Sequence, residues 1–157
     1  MDESIEKRGI EKTLADTVDM LREIPFYSAL GITIKYLGEG EAGLKITVKP
    51  EFLNSQGRLH GGIITTLADT SMGFSAFTLG LKGVTIEMNI NFLAPVQLGT
   101  ELVAEASVLH VTSNTLVAEA GIYNGDGQLL AKSRGTFFLT SKNNQRNSKT
   151  LEQIPVF

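Results

Sequence analysis

The stretch Asn54-Ser55-Gln56-Gly57-Arg58-Leu59-His60-Gly61-Gly62, running on through Ile63-Ile64-Thr65-Thr66-Leu67-Ala68 to Asp69, holds the residues best suited to chemistry. Gly61 and Gly62 stand where a long helix is expected to begin. The first backbone N–H groups of a helix lack intrahelical partners and carry the positive end of its dipole, so an oxygen developing negative charge is stabilised there. Glycine also lets a substrate approach that backbone closely. Asp69 follows two turns later, on a flank about 120° from the stripe formed by Ile63, Leu67 and Phe74. Its neighbours on that flank are Thr65, Met72, Gly73 and Ala76, and no basic residue lies three or four positions away. A carboxylate in such company is costly to bury unless it is hydrogen-bonded or used. The ordinary alternative is a solvated helix face, but Lys, Glu and Gln do not surround it.

Other chemistries find less support. His60 fits a polar helix-start residue as well as a catalyst, and His110 lies in an alternating strand with no carboxylate at useful spacing, so it is given no role. Two histidines and no cysteines offer no metal-ligand cluster, and no metal is expected. There is no Gly-x-Ser-x-Gly and no glycine-rich phosphate loop, which disfavours a serine triad and nucleotide-dependent transfer. Chemistry is left to Asp69 and backbone dipoles.

These residues need elements to hold them. Leu14, Val18, Leu21 and Ile24 recur at helical spacing over residues 11 to 24, and Pro25 closes that lead-in helix. From Gly31 the period changes to two: Ile32, Ile34 and Tyr36, a turn over Gly38 to Gly43, then Leu44, Ile46 and Val48 predict a β-hairpin. After an irregular stretch, residues 60 to 80 read as one long helix. One stripe of it is Ile63, Leu67, Thr70, Phe74 and Phe77, extended by Leu81. The adjoining stripe is mostly small, Ile64, Ala68, Ser71, Ser75 and Thr78, and lets a helix lie close to a sheet. Alternating runs at 84–92, 102–111, 116–123 and 128–140, the last two joined through Asn124-Gly125-Asp126-Gly127, predict a meander of long antiparallel strands.

The sum is an α+β chain, a long central helix wrapped by an antiparallel sheet. Apolar residues fall on both parities at Leu102 and Val103, Leu116 and Val117, and Phe137 and Phe138, so part of the second face is expected against a partner subunit.

The chain has 157 residues, 42% of them apolar, enough for one domain with a proper core. Its formal charge of −3 gives no basic field, and nucleic acid is not expected as a partner. No secretory or membrane-spanning segment is evident near the amino terminus, which predicts a cytoplasmic protein with no membrane association. Without cysteines there are no disulfides and no thiolate nucleophile.

The run His60-Gly61-Gly62, with Asp69 eight residues beyond Gly61, Asn54 seven before it, and the strand Asn89-Ile90-Asn91-Phe92-Leu93-Ala94-Pro95, resembles the phenylacetate-pathway (PaaI-like) type of hotdog-fold acyl-CoA thioesterases. The resemblance spans about residues 28 to 140, which makes 1–27 a lead-in helical segment, 28–140 the hotdog domain and 141–157 a polar tail. It implies a homodimer with sheets paired edge to edge, stacked as a dimer of dimers, and active sites at the dimer interface. It implies that the Gly61 amide polarises the thioester carbonyl while Asp69 of the opposing subunit acts as general base or nucleophile. Asn54 and His60 match residues that position the thioester and departing thiolate, and Thr85 matches a hydroxyl that helps hold the attacking water.

Aspartate at position 69, where another branch carries glutamate, favours the phenylacetate type. Coenzyme A is part of the substrate, and no other cofactor is implied. Substrate contacts are expected from Gly62, Met72, Asn89 and Phe92, and phosphate contacts from Arg58 and Lys82, with Arg134 and Lys142 also available. Phe74, Phe77 and Met88 fit an acyl tunnel or simple core. A hotdog dehydratase or hydratase and a non-catalytic acyl-CoA-binding module are the competing readings.

Overall fold

The computed structural model describes residues 3–142. Of the tail assigned to 141–157, only Ser141 and Lys142 lie within them, as the end of a strand. In chain order the elements are α1 (Glu3–Glu23), α2 (Pro25–Leu30), β1 (Thr33–Gly38), β2 (Glu41–Thr47), a 3-10 turn (Pro50–Phe52), α3 (Gly61–Thr78), β3 (Leu81–Phe92), β4 (Glu101–Val111), β5 (Thr115–Asn124) and β6 (Leu129–Lys142). The strands form one antiparallel sheet in the order β1-β2-β4-β5-β6-β3, and α3 packs across it. This is the hotdog arrangement the motif implied.

Helix α3 is buried on both stripes. Leu67 and Phe74 are inaccessible, and so are Ala68, Ser71, Ser75 and Thr78 on the small-residue side that meets the sheet. The buried hydroxyls are satisfied within the helix: Ser71 donates to the Ala68 carbonyl at 2.9 Å, Ser75 to Met72 at 2.7 Å and Thr78 to Ser75 at 2.7 Å. Thr78 Oγ1 also accepts from the Gly40 amide at 2.9 Å, which ties the helix end to the β1–β2 turn. Every buried polar group on this face therefore has a partner, and the close approach carries no desolvation penalty for an unpaired hydroxyl.

Three expectations change. Pro25 does more than close α1, because it opens α2 at a position where its missing N–H costs nothing, and Gly31 at φ 76° ends that helix. Tyr36 does not share a face with Ile34. A bulge between them turns Tyr36 to the outer face, where its ring lies over Gly43 so closely that a Cβ there would collide with it. The meander contains β4, β5 and β6 alone; β3 lies beyond β6, at the sheet edge. The connection from Leu93 to Thr100 is too long for a tight hairpin and contains Pro95, so it crosses the molecule. It is held by Leu59 N–H to Val96 O at 3.1 Å and by Val48 N–H to Thr100 O at 2.9 Å.

The outer face of the sheet is mostly charged. Lys35 pairs with Glu105 at 3.0 Å, Lys45 with Glu101 at 3.2 Å, and Glu119 with Lys132 at 2.9 Å and Arg134 at 3.6 Å. Exposed apolar side chains gather instead where β3 and β6 meet, at Val84 (55% exposed), Ile86 (59%) and Phe138 (46%).

The hydrogen bond from Lys132, followed by its charge and by Arg134, holds the Glu119 carboxyl below the ordinary value of 4.5. A carboxyl depressed in the folded state contributes stability above its unfolded value and loses it as pH falls through the folded one. Glu119→Gln should therefore cost about 1 kcal/mol or less at pH 7. The difference from the parent should shrink as pH falls below 4.5 and vanish once it passes the lowered folded value, as measured by urea unfolding across that range and at pH 7.

Candidate active site

The helix start is built by the loop before it. Asn54 Oδ1 accepts from the amides of Gln56 at 2.9 Å and Arg58 at 3.1 Å, and Gly57 takes φ 70°, folding 54–58 into a tight turn. The Asn54 side-chain oxygen is thereby committed to the loop, and its Nδ2 remains as the donor. His60 is the N-cap of α3, with Nδ1 accepting from the Gly62 amide at 2.9 Å. An acceptor Nδ1 leaves the ring proton on Nε2, which is free to donate.

The same bond uses the Gly62 N–H, so of the two glycines only Gly61 presents an amide without a partner among the described residues. The Phe92 ring rests on Gly61, with its Cζ 3.2 Å from where a Cβ would stand, which only glycine tolerates comfortably at this contact. A cavity of about 340 Å³ opens here, lined by Asn54, Arg58, Leu59, Gly61 and Phe92 and closed by the 93–96 segment. Four expected site residues meet in it.

Asp69 belongs to a separate cluster. Eight residues beyond Gly61, it stands about 12 Å further along the helix axis and about 80° round it. Thr85 of β3 donates to its Oδ1 at 2.6 Å. A bulge in β3 between Thr85 and Glu87 leaves Ile86 without a partner on β6, and this local break in the ladder accompanies the turn of Thr85 toward the helix. Tyr27 of α2 is the nearby group that sequence reasoning missed, having been assigned to the lead-in segment. Its phenol is pushed up from 10.0 by burial first and by the neighbouring Asp69 carboxylate second. The available signal was Pro25 followed six residues later by Gly31, the start and stop of a short independent helix.

Other expected contacts are not brought to either cluster. Met72 is wholly buried and packs toward Gly135 of β6, because its position on α3 faces the sheet, so it is core. Asn89 shares register with Arg134 and Glu119, which puts its side chain on the outer, charged face, away from α3. Lys82 is exposed near the start of β3, far along that strand from Phe92. Arg134 is engaged with Glu119, while Phe74 and Phe77 stack edge to face in and around the core. Among the described residues no group of three potential metal ligands converges, and no helix is long and apolar enough to cross a membrane. His60→Ala, which removes the cap, should lower stability by about 1 kcal/mol in denaturant unfolding.

A family profile described as the thioesterase superfamily matches residues 56–131, which take in the end of the loop, α3, β3, β4, β5 and the start of β6. The acyl-coenzyme A thioesterase PaaI of Escherichia coli is 36% identical over 107 residues, covering 68% of this chain and 76% of its own. The solved structure of the E. coli PaaI protein from the phenylacetic acid degradation operon superposes with a TM-score of 0.80 at 31% identity, over 85% of this chain and 96% of that one. A thioesterase protein of Streptococcus pneumoniae, solved with coenzyme A, superposes with a TM-score of 0.70 at 30% identity, over 73% of this chain and 89% of that one. On its fold and on these likenesses the chain belongs to the thioesterase superfamily, and it is a thioester hydrolase of the hotdog fold.

Proposed function

We propose that the chain hydrolyses acyl-coenzyme A to a carboxylic acid and free coenzyme A, at sites shared between two copies paired through β3. The observation that carries this reading is how β3 links the two clusters. Its Phe92 end rests on Gly61, and its Thr85 end hydrogen-bonds Asp69 at 2.6 Å. Antiparallel pairing of two β3 strands lays the Phe92 end of one copy beside the Thr85 end of the other, and a two-fold repeats the arrangement. Gly61 of one copy and Asp69 of the second then flank the same space. A long edge strand bearing exposed Val84 and Ile86 is a template for such pairing.

In this site the thioester carbonyl oxygen accepts from the Gly61 N–H, which is worth on the order of 3 to 4 kcal/mol as charge develops. Asp69 of the second copy takes a proton from water as its oxygen bonds to the carbonyl carbon. Collapse of the tetrahedral intermediate breaks the C–S bond, and the thiolate leaves with the proton that Asp69 gained. In the nucleophilic variant Asp69 itself attacks, and water then cleaves the resulting anhydride. Thr85 fixes the carboxylate or its water. Asn54 Nδ2 and His60 Nε2–H are donors for the thioester and thiolate, and Arg58 at the cavity is the cation placed for a coenzyme A phosphate. No cofactor beyond the substrate's own coenzyme A takes part. Stacking of two such dimers and a cytoplasmic location belong to the same reading.

Asp69→Asn should lower thiol release from acyl-coenzyme A by on the order of 10²-fold or more, the contribution of a general base, while acyl-coenzyme A binding persists in calorimetry. An unchanged rate overturns the role of Asp69, and loss of hydrolysis by both parent and variant with binding retained moves the chain to a binding module. Ile86→Asp puts a charge on the proposed seam. It should convert a dimer to monomers in light scattering and abolish hydrolysis together, whereas a fully active monomer rules out the shared site.

A further inference from the structure

Gly73 stands well inside α3, and nothing in the chain calls for a glycine there. Its φ is not in the left-handed region, and a helix interior favours alanine over glycine, whose backbone loses more freedom on folding. Apart from the helix backbone and the adjoining residues, no atom lies within 4 Å of where a Cβ would stand. Every other glycine of α3 and of the sheet has a neighbouring atom at 3.4 Å or less from that point, as Gly61 has in the Phe92 ring. Gly73 is also the one residue from Thr70 to Ala76 that is not buried. The helix thus forgoes stability at this position and keeps a space open on its surface.

That space borders the proposed site. Gly73 follows Asp69 by four residues, which sets it about 6 Å further along the axis and about 40° round it, on the same flank. Thr65, one turn before Asp69, turns its hydroxyl back onto the Gly61 carbonyl at 3.0 Å and fills its own position. Beyond Gly73 the neighbours on the helix surface, three and four residues on, are Ala76 and Phe77. Phe77 stacks edge to face on the buried Phe74 at 5.7 Å between centroids. The opening beside the carboxylate therefore leads on to apolar side chains.

The carbonyl carbon of a thioester carries three substituents in one plane. In the shared site the oxygen is held by Gly61 of one copy, and the sulfur faces the donors of the same copy's loop, Asn54 and His60. The third substituent, the acyl chain, is left to the second copy, whose Asp69 approaches the carbon across that plane. We infer that the space at Gly73 of that second copy receives the acyl chain, and that Gly73, by lacking a side chain, decides how long an acyl group is accepted. The inference rests on the proposed roles of Gly61 and Asp69. An acetyl group is too short to pass one helical turn beyond the carboxylate, whereas an octanoyl chain runs through the space. A methyl group placed there discriminates between the two by about ten-fold or more, the extent to which an apolar site separates substrates that differ by one methylene. A change that merely disturbs the fold scales both substrates alike.

The test measures kcat/KM for straight-chain acyl-coenzyme A thioesters from acetyl to lauroyl with the parent, Gly73→Ala, Gly73→Leu and Asp69→Asn, alongside urea unfolding and light scattering. Gly73→Ala should unfold at higher urea than the parent, because alanine is the better helix former, and should lower the octanoyl-to-acetyl ratio about ten-fold or more. Gly73→Leu should lower that ratio further. A more stable protein with an altered ratio separates specificity from damage to the fold. If the ratio in Gly73→Ala stays within about two-fold of the parent while Asp69→Asn is inactive, the inference is overturned and the proposed chemistry stands. If Gly73→Leu turns the dimer into monomers, the space belongs to a side chain of the second copy, which overturns the inference as well. If Asp69→Asn hydrolyses as fast as the parent, the chemistry itself fails, and the inference with it.

Discussion

An 18-residue helix lies across a sheet with nearly every face covered, and that burial constrains everything else in the molecule. Sheet contact selects alanine, serine and threonine on one side, and each hydroxyl must bond within the helix or to a neighbouring turn, as Thr78 does with Gly40. Apolar side chains fill the other side, beneath α1 and α2. A helix so enclosed has few places to meet a substrate. Its first amide, that of Gly61, is one, since the cap on Gly62 leaves it as the unpaired donor at the helix start among the described residues. The half-buried flank at Asp69 is the other, where a polar side chain survives because Thr85 hydrogen-bonds it. The positions available for chemistry are those the packing leaves over.

The two positions stand on one rigid rod and never converge within a chain, because eight helical residues separate them by a fixed rise and rotation. Strand β3 turns that separation to use. It touches both positions, one at each end, and lies at the sheet edge with its outer hydrogen-bonding row unpaired. The strand is also the apolar part of an otherwise charged outer surface: ion pairs cover β1, β2, β4, β5 and β6, whereas Val84, Ile86 and Phe138 are bare. Charge on most of the face and exposed hydrocarbon at one edge direct association to that edge, since long exposed edge strands tend to find another strand.

The relatives bear on how much of this is shared. The family match runs from within the loop before α3 to the start of β6 and leaves out β1 and β2, while the structural likeness to E. coli PaaI extends over most of the chain. Within that frame, the loop before α3 commits its side-chain acceptors to itself: Asn54 Oδ1 holds the turn and His60 Nδ1 caps the helix. What remains facing outward is a set of donors. A ring of donors around a single free amide suits a ligand that brings acceptors, a carbonyl oxygen and a departing thiolate.

Local sequence determined the elements and the identity of the reactive groups. The strand periods, the long helix read over 60–80 and found at Gly61–Thr78, the turn at 124–127 and the standing of Asp69 as a carboxylate without a local basic partner all follow from spacing along a few turns or pleats, which the chain encodes within itself. Tertiary structure alone decided which elements became neighbours. The transfer of β3 past β6, the bulges that turned Tyr36 outward and accompany Thr85 on Asp69, the burial of Met72, the outward side of Asn89 and the placing of Tyr27 against Phe74 depend on pairings between residues dozens of positions apart. Period tells which side chains share a face but not which face meets which. That choice is fixed by the free energy of packing the whole sheet on one helix, to which every strand contributes at once.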